Sequence, residues 1–500
     1  MSRSVKRVLL FIPPAYTLKK RIDINPLPPL GLAYLGAILE NNGIEVKIVD
    51  CLLEGWGNRA EITDDIIRIG LSFEHVENII KDYTPDLVGV NNLFTKQREN
   101  AHRIYRIAKS IDTGIITVAG GAHPTAMPEL VLTDENLDYV VLGEGEQALI
   151  DLIKVIEGKK EQSMLNGVCY RENGNVKIIP KTRLIEDLDS IPFPARYLLN
   201  MEKYFGLKSS HGERRYNRFS PIITSRGCPA KCTFCSAYKV WGRKFRYRSP
   251  ENVLAEMRHI KEKHSIEEIM FEDDNVTINP KRAEKIFDMM IKEKLDLKWD
   301  TPNGVAAWTL SENLIGKMKE SGCYKINFAL ESGNQYVLDN IIKKPLNIKK
   351  VIPLIKYAKD IGLEVGIFLV IGMPGETEEQ IWDSIYLAED LGIYNPHISI
   401  ATPYPGSELY DICKEKGYLG KDFSLDDLYI RSFPISTENW NAENLRKIFS
   451  AVKKYLFFSD IKKHPIPFLK RFTSKLLREP LYTSKKIFKF LITRDWSKIG

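Results

Sequence analysis

The chain has 500 residues, 44% of them hydrophobic and 27% charged, with a formal net charge of +7. That length predicts two to four domains, and the balance excludes a disordered or collagenous chain. No uninterrupted apolar stretch reaches the roughly 18 residues of a membrane-spanning helix, and seven cysteines, an odd number, argue against a secreted disulfide framework and for a cytoplasmic protein.

Lys6 and Arg7 precede an apolar run that Pro13 and Pro14 cut short. The run is too brief for a signal-peptide core and reads as a first strand. Strands are expected at 8–12, 45–49, 87–91, 115–119 and 139–142, separated by helices at 31–40, 64–81, 97–110 and 146–157. This α/β alternation predicts a doubly wound, Rossmann-like parallel sheet over 1–157, with ligands outside the carboxyl ends of its strands. The loops at those ends read Pro13-Pro14-Ala15-Tyr16, Asn92-Leu93-Phe94-Thr95, Gly120-Gly121-Ala122-His123-Pro124-Thr125 and Gly143-Glu144-Gly145-Glu146. Their glycines either let a ligand approach the backbone or simply make tight turns. A nucleotide-binding sheet competes with this reading, but no G-x-G-x-x-G follows the first strand.

Residues 158–218 read as a connector, with a hairpin at 166–171 and 175–181 around Glu172-Asn173-Gly174 and then a proline-punctuated stretch, Leu188 through Arg196. From 219 to 408 the β-then-α order resumes. Strands are expected at 221–224, 268–271, 298–301, 325–330, 365–370 and 397–400, with helices at 280–291, 312–320, 348–360 and 378–391. Six units fit a partial (β/α)6 barrel with its active groups at the strand carboxyl ends.

Directly after the first of these strands lies Gly227-Cys228-Pro229-Ala230-Lys231-Cys232-Thr233-Phe234-Cys235, three cysteines at C-x3-C-x2-C. Thiolates so spaced can wrap one inorganic centre, and Gly227 and Pro229 mark an irregular loop. The alternative is three structural cysteines. A structural zinc usually takes four ligands, whereas Cys51, Cys169, Cys323 and Cys413 each stand alone, Cys323 as core. Phe271-Glu272-Asp273-Asp274-Asn275 follows the second strand, Glu331-Ser332-Gly333 the fourth and Gly372-Met373-Pro374-Gly375-Glu376-Thr377 the fifth. Acids there accept hydrogen bonds from an ammonium, or cap helix N-termini without any ligand; the sequence leaves both open.

Residues 409–500 read as helical, with Leu445, Ile448, Phe449, Val452 and Leu456 at helix spacing. Residues 461–500 carry eleven Lys or Arg against Glu479 and Asp495, a local charge of +9 that leaves the rest of the chain at −2. Phe468, Phe472 and Leu476, then Ile487, Phe488 and Leu491, make apolar faces bordered by these cations. Such faces suit peripheral contact with an anionic membrane, or a helix that caps the barrel and solvates its basic side. Nucleic acid is not expected, because a phosphate-binding arm needs no large aliphatic face.

Cys228, Cys232 and Cys235, with Phe234 before the last, resemble the radical S-adenosylmethionine (SAM) signature. Joined to Pro28-Pro29-Leu30-Gly31-Leu32-Ala33-Tyr34-Leu35, Gly-Gly-Ala-His-Pro-Thr and Gly-Glu-Gly-Glu, the chain resembles the B12-binding (cobalamin-dependent) radical SAM family, in the manner of its class B methyltransferases. The resemblance implies that the three cysteines hold a [4Fe-4S] cluster whose open iron is chelated by SAM, and that an external electron donor drives SAM cleavage to a deoxyadenosyl radical. It places Phe234, Glu272, Asp273, Glu331, Gly372, Pro374 and Gly375 at SAM. It places Tyr16, Thr95, Gly120, Gly121, His123, Pro124, Gly143 and Glu144 at cobalamin.

None of the eight histidines has an Asp two positions earlier, so the Asp-x-His-x-x-Gly lower ligand of other B12 proteins is not expected. Its loss favours low-coordinate cobalt and eases methyl movement off the metal. His123 reads first as a structural residue, the commoner part for a lone loop histidine, and second as a corrin contact. The implied activity is methylation of an unactivated carbon: one SAM methylates cob(I)alamin, a second yields the radical, and the substrate radical takes the methyl group. No acid-base pair is singled out as catalytic. A tail at the membrane would make the substrate a lipid or isoprenoid; otherwise it is a small molecule. Relatives of the same modular build catalyse oxidative cyclisation or rearrangement, and motifs do not separate these outcomes. Against a third reading, a B12-sensing regulator, stands the intact cysteine loop.

Overall fold

The computed structural model describes residues 4–19, 22, 24–207, 214–421, 423–428, 433–469 and 473. In the first strand, Arg7–Ile12, apolar side chains alternate between two faces. Leu9 and Phe11 join one core with Val76, Ile80 and Ile104, while Val8 and Leu10 join another with Leu32, Leu39 and Leu152. A strand buried on both faces needs helices on both sides. Phe73–Tyr83 and Arg98–Ile111 contribute to the first core, Leu30–Asn41 and Gly145–Ile156 to the second.

The sheet runs Glu45–Asp50, Arg7–Ile12, Leu87–Asn91, Ile116–Gly120 and Tyr139–Val141, all parallel. Val168–Glu172 and Asn175–Ile179 then add to it antiparallel, so the hairpin expected in the connector extends the first sheet. Strand order reverses between Arg7–Ile12 and Leu87–Asn91, the switch point at which such sheets open a ligand crevice.

One expected helix is wrong in its first half. Instead of a helix over 64–81, Ile66–Ile69 is a strand between Ala15–Leu18 and Arg59–Glu61 in a separate three-stranded sheet, and the helix begins at Phe73. Ile67 and Ile69 are buried beside Ala15 and Leu52, the alternation of a strand. Gly70 then breaks the chain at φ +131°, where a Cβ would lie 2.8 Å from the Cys51 carbonyl oxygen, and the Ser72 side chain caps the new helix.

Six parallel strands form the second sheet in chain order: Phe219–Ile222, Glu268–Phe271, Lys298–Asp300, Cys323–Glu331, Glu364–Ile371 and His397–Ile400. They match the expected strands within two residues. Asn279, Ser311, Asn347 and Thr377 each accept a backbone N–H at the start of an expected helix, a local signal that let those helices be read from the chain, whereas Pro250–His264, capped by Ser249 in the same way, was not among the expected helices. Trp299 stacks on Phe287 at 5.0 Å and meets Phe271 edge-on at 5.1 Å, filling the space between strand and helix.

The helix Ala442–Lys463 buries Leu445, Ile448, Phe449, Val452 and Leu456 as its spacing predicts, and its Tyr455, Ser459 and Lys463 all reach Glu389. Most of the basic tail, 474–500, lies outside the described residues. Among the described residues no helix is long and apolar enough to cross a membrane.

Candidate active site

The cysteine loop is built by backbone constraints at its start. Ser225–Arg226 pairs antiparallel with Arg246–Tyr247, and Gly227 turns at φ +86°, where a Cβ would lie 2.4 Å from the Lys244 carbonyl oxygen. Cys228, Cys232 and Cys235 are free thiols, each half-buried. The Cys235 N–H donates to the Cys232 carbonyl at 3.1 Å, and the Thr233 N–H and hydroxyl donate to the carbonyls of Ile342 and Ile341 at 2.9 and 3.0 Å. Burial pushes all three thiols up, Cys232 to about 12, with the Lys344 ammonium opposing. Phe234 packs against the barrel core.

The acids around this loop separate into distinct roles. Asp273 is buried and accepts from the Thr224 N–H at 2.8 Å, the Thr224 hydroxyl at 2.6 Å and the Ser225 hydroxyl, so it fixes the strand end that launches the cysteine loop. Its neighbour Asp274 stands by the thiols instead: its charge acts on Cys228 and Cys235, its Oδ2 is buried without a partner, and burial followed by Asp273 raises it to about 6. Glu272 is half-exposed and accepts from Asn303 Nδ2 at 3.3 Å. Glu331 ends its strand at φ +68°, where the register to the next strand shifts, and pairs with buried Lys344 at 2.9 Å.

In the Gly372 to Thr377 loop, Glu376 accepts the N–H groups of Gly372 and Met373 at 2.8 and 3.1 Å, closing the turn on itself. Burial raises its carboxyl to about 8. Gly372 and Gly375 sit at φ +84° and +88°, and a Cβ on Gly372 would lie 2.5 Å from Leu445 of the C-terminal helix.

The first domain presents a linked set of loops at the carboxyl ends of its strands. The Tyr16 N–H donates to Gln97 Oε1 at 2.6 Å, Gln97 Nε2 returns a bond to the Tyr16 carbonyl at 3.0 Å, and Asn100 Nδ2 reaches the Pro14 carbonyl at 2.9 Å. These bonds span the switch point. His123 lies 2% exposed with Nδ1 3.1 Å from Thr95 Oγ1, and burial, then Arg98, lowers it to about 4, so it is neutral at pH 7. Pro124 is buried beside it; Gly121, at φ +104°, would put a Cβ 2.5 Å from Asn91 Oδ1, while Gly120 faces open space.

Gly143 and Glu144, expected at the corrin, stand at the junction with the barrel. A Cβ on Gly143 would lie 2.9 Å from the Val240 carbonyl oxygen. Glu144 is fully buried and accepts from Arg226 at 3.0 Å, Arg246 at 2.7 Å and the Ile185 N–H at 2.9 Å. Arg226 also pairs with Glu146 at 2.5 Å and lies 4.9 Å from the Trp241 ring. The helix that follows the cysteine loop, Ala237–Trp241, packs on Ala122–Ala126 of the Gly-Gly-Ala-His-Pro-Thr segment.

Residues 222–388 match the radical SAM superfamily and residues 25–153 the B12 binding domain. A cytidylyl-2-hydroxyethylphosphonate methyltransferase of Streptomyces wedmorensis is 35% identical over 478 residues, 89% of each chain. The chain belongs to the cobalamin-dependent radical SAM family. Its cofactors are a [4Fe-4S] cluster, SAM and cobalamin. An anaerobic magnesium-protoporphyrin IX monomethyl ester cyclase of Rubrivivax gelatinosus is 28% identical over 417 residues, 82% of this chain and 70% of that one. The cobalamin-dependent SAM radical enzyme OxsB, solved with aqua-cobalamin and SAM, matches at a TM-score of 0.69 over 98% of this chain and 75% of that one; at 15% identity the likeness is one of fold.

The residues of this radical SAM enzyme fit those groups. Asn92 Oδ1, Asn100 Oδ1 and His123 Nε2 are buried acceptors without a protein partner, each costing about 1–3 kcal/mol unless a donor reaches it. The amides on a corrin rim carry the N–H donors that such acceptors need, and Gly120 leaves room for close approach. Among the described residues no three His, Cys, Asp or Glu side chains converge on one metal ion. A four-iron cluster instead takes each thiolate on a different iron, which the three free thiols of the cysteine loop can supply. Sequence reasoning passed over Asp274, Lys344, Asn92, Asn100 and the Arg226 pairings. Asp274 and Asn92 lay inside stretches already singled out, but Lys344 has no periodicity or motif to mark it.

Proposed function

We propose that the enzyme is a C-methyltransferase that acts on an unactivated carbon of a small molecule. The observation that carries this is the packing of Ala237–Trp241, at the end of the cysteine loop, directly on Ala122–Ala126 of the cobalamin-binding domain. A radical source and a methyl carrier then open on one gap, and the relative sharing 89% of each chain is a methyltransferase. When bound, the cofactors supply the electron, the hydrogen-abstracting radical and the methyl group.

The chain's own residues position and exclude. Cys228, Cys232 and Cys235 hold the cluster; Phe234, Glu272, Glu331, Gly372, Pro374 and Gly375 line the SAM side. Tyr16, Thr95, Gly120, Gly121, His123 and Pro124 line the corrin side. Asp273, Gly143 and Glu144 act one step back, fixing the loop and the domain junction through the hydrogen bonds and close approaches described above. An isoprenoid substrate rests on the basic tail alone, and flotation with anionic liposomes of full-length protein against residues 1–460 tests it: equal flotation removes that reading.

The cyclase relative supports a second reading, oxidative ring formation without methyl transfer. Anaerobic reconstitution with iron, sulfide and cobalamin, then incubation of methyl-labelled SAM with a small-molecule extract of the source cells, separates the two by mass spectrometry. Label in a carbon-methylated product is expected. Deoxyadenosine release without label uptake would favour cyclisation.

A further inference from the structure

Lys344 is a buried ammonium that the chemistry described so far does not use. It follows a single π-helical turn, Val337–Ile342, that ends at Lys343 with φ +61°. That turn is fastened to the cysteine loop itself, because Thr233, between Cys232 and Cys235, donates to the carbonyls of both Ile341 and Ile342. The Lys344 N–H returns to the Leu338 carbonyl at 2.8 Å. The side chain is 6% exposed, its Nζ 2.9 Å from Glu331 Oε1 and 5.4 Å from the centre of the Trp308 ring.

A buried ion pair is weak evidence of stability, since apolar residues of similar volume often do as well. Here Glu331 also sits in the left-handed region, which non-glycine residues rarely adopt. An arrangement costly on both counts points to a use for the charge. The groups whose charges reach the loop are Asp274 and Arg243 at Cys228, Asp274 at Cys235, Glu331 at Cys232, and Lys344 at all three thiols. At Cys232 the lysine is the larger of the pair's two opposing influences.

We propose that Lys344, held beside the cysteine loop by Glu331, raises the reduction potential of the cluster and so makes electron delivery easier. Reduction adds negative charge to a centre already bound by three thiolates in a partly buried mouth, and a fixed cation nearby stabilises the reduced state more than the oxidised one. Glu331 sets where that cation stands and offsets part of its field. This rests on the reading of Cys228, Cys232 and Cys235 as cluster ligands.

The test is a potentiometric titration, followed by electron paramagnetic resonance, of full-length protein reconstituted with iron, sulfide and cobalamin, without SAM. Lys344→Met is expected to lower the reduced-to-oxidised ratio of the cluster at a fixed poise about tenfold, a displacement of about 59 mV for a one-electron couple. Glu331→Gln is expected to move the ratio the opposite way, and Lys344→Arg to stay within about twofold of the parent. Opposite signs are what a merely structural role would not produce. Equal ratios, or shifts of the same sign, overturn the proposal. If Lys344→Met does not fold, the Glu331→Gln sign and the Lys344→Arg rescue decide it. A Cys232→Ala protein with full iron and sulfide content would remove the cluster reading separately, and this proposal with it.

Discussion

Glu376 shows how one side chain's surroundings choose its chemistry. An acid two residues before the helix Glu378–Asp390 reads as a helix-start residue or a SAM contact, yet its carboxylate turns inward onto the Gly372 and Met373 N–H groups and is fully buried. Burial raises its folded pKa to about 8 from an ordinary 4.5, so between those values the folded protein holds a proton that the unfolded chain has released. Its contribution is therefore present in full below about pH 4.5 and is lost as pH rises toward 8. Glu376→Gln cannot titrate. Its melting temperature relative to the parent is expected to be more favourable at pH 9 than at pH 6, measured by scanning calorimetry on apo-protein; an equal difference at both values would refute the assignment. Asp273 behaves alike, since it accepts from three protein donors, while the adjacent Asp274 keeps its Oδ2 buried without a partner and its charge acts on Cys228 and Cys235.

Among the elements, the C-terminal helix Ala442–Lys463 governs a loop it does not adjoin in sequence. Leu445 is 1% exposed, and its Cδ2 stands 2.5 Å from where a Gly372 Cβ would be, while Asn439 Nδ2 donates to the Glu376 carbonyl at 3.0 Å. Leu445→Ala leaves a cavity beneath the Gly372 to Thr377 loop. It is expected to destabilise the barrel by about 2–5 kcal/mol in denaturant titration and, through the loosened loop, to weaken SAM binding in equilibrium dialysis. Unchanged SAM affinity would move that loop away from the cofactor. The helices were legible because their caps and apolar spacing are local signals. The misread stretch at 64–72 carried the weaker signal of a four-residue strand, and its neighbours Ala15–Leu18 and Arg59–Glu61 decided its state.

At the scale of the molecule, Arg226 joins the two sheets. It lies two residues before Cys228, yet its partners Glu144 and Glu146 belong to the first domain, and all three are buried. Arg226→Met takes from buried Glu146 its paired guanidinium and leaves Glu144 with Arg246, a loss of about 3–5 kcal/mol in stability to denaturant. Hydrogen exchange is expected to accelerate together at 143–147 and 225–228, while the Glu364–Ile371 strand stays protected. Exchange that rises only on the barrel side would show that the latch does not couple the domains.

The α/β class of both domains and the cysteine loop were written in the sequence alone, because hydrophobic period, helix caps and thiol spacing act over a few residues, and the motifs at 28–35, 120–125, 143–146 and 228–235 carried the likeness to the family. The strand order of the first sheet, with its antiparallel extension, came only from the structure. Tertiary structure decided which acids the protein's own donors and cations hold. Glu144, Asp273 and Glu376 are held by donors or cations; Asp274 accepts from the Gly227 backbone but keeps its Oδ2 buried without a partner, and Lys344 pairs with Glu331. The physical reason is that hydrogen-bond satisfaction and burial are properties of neighbours in space. No local pattern in the chain announces that Glu331 and Lys344 will meet beside Cys232.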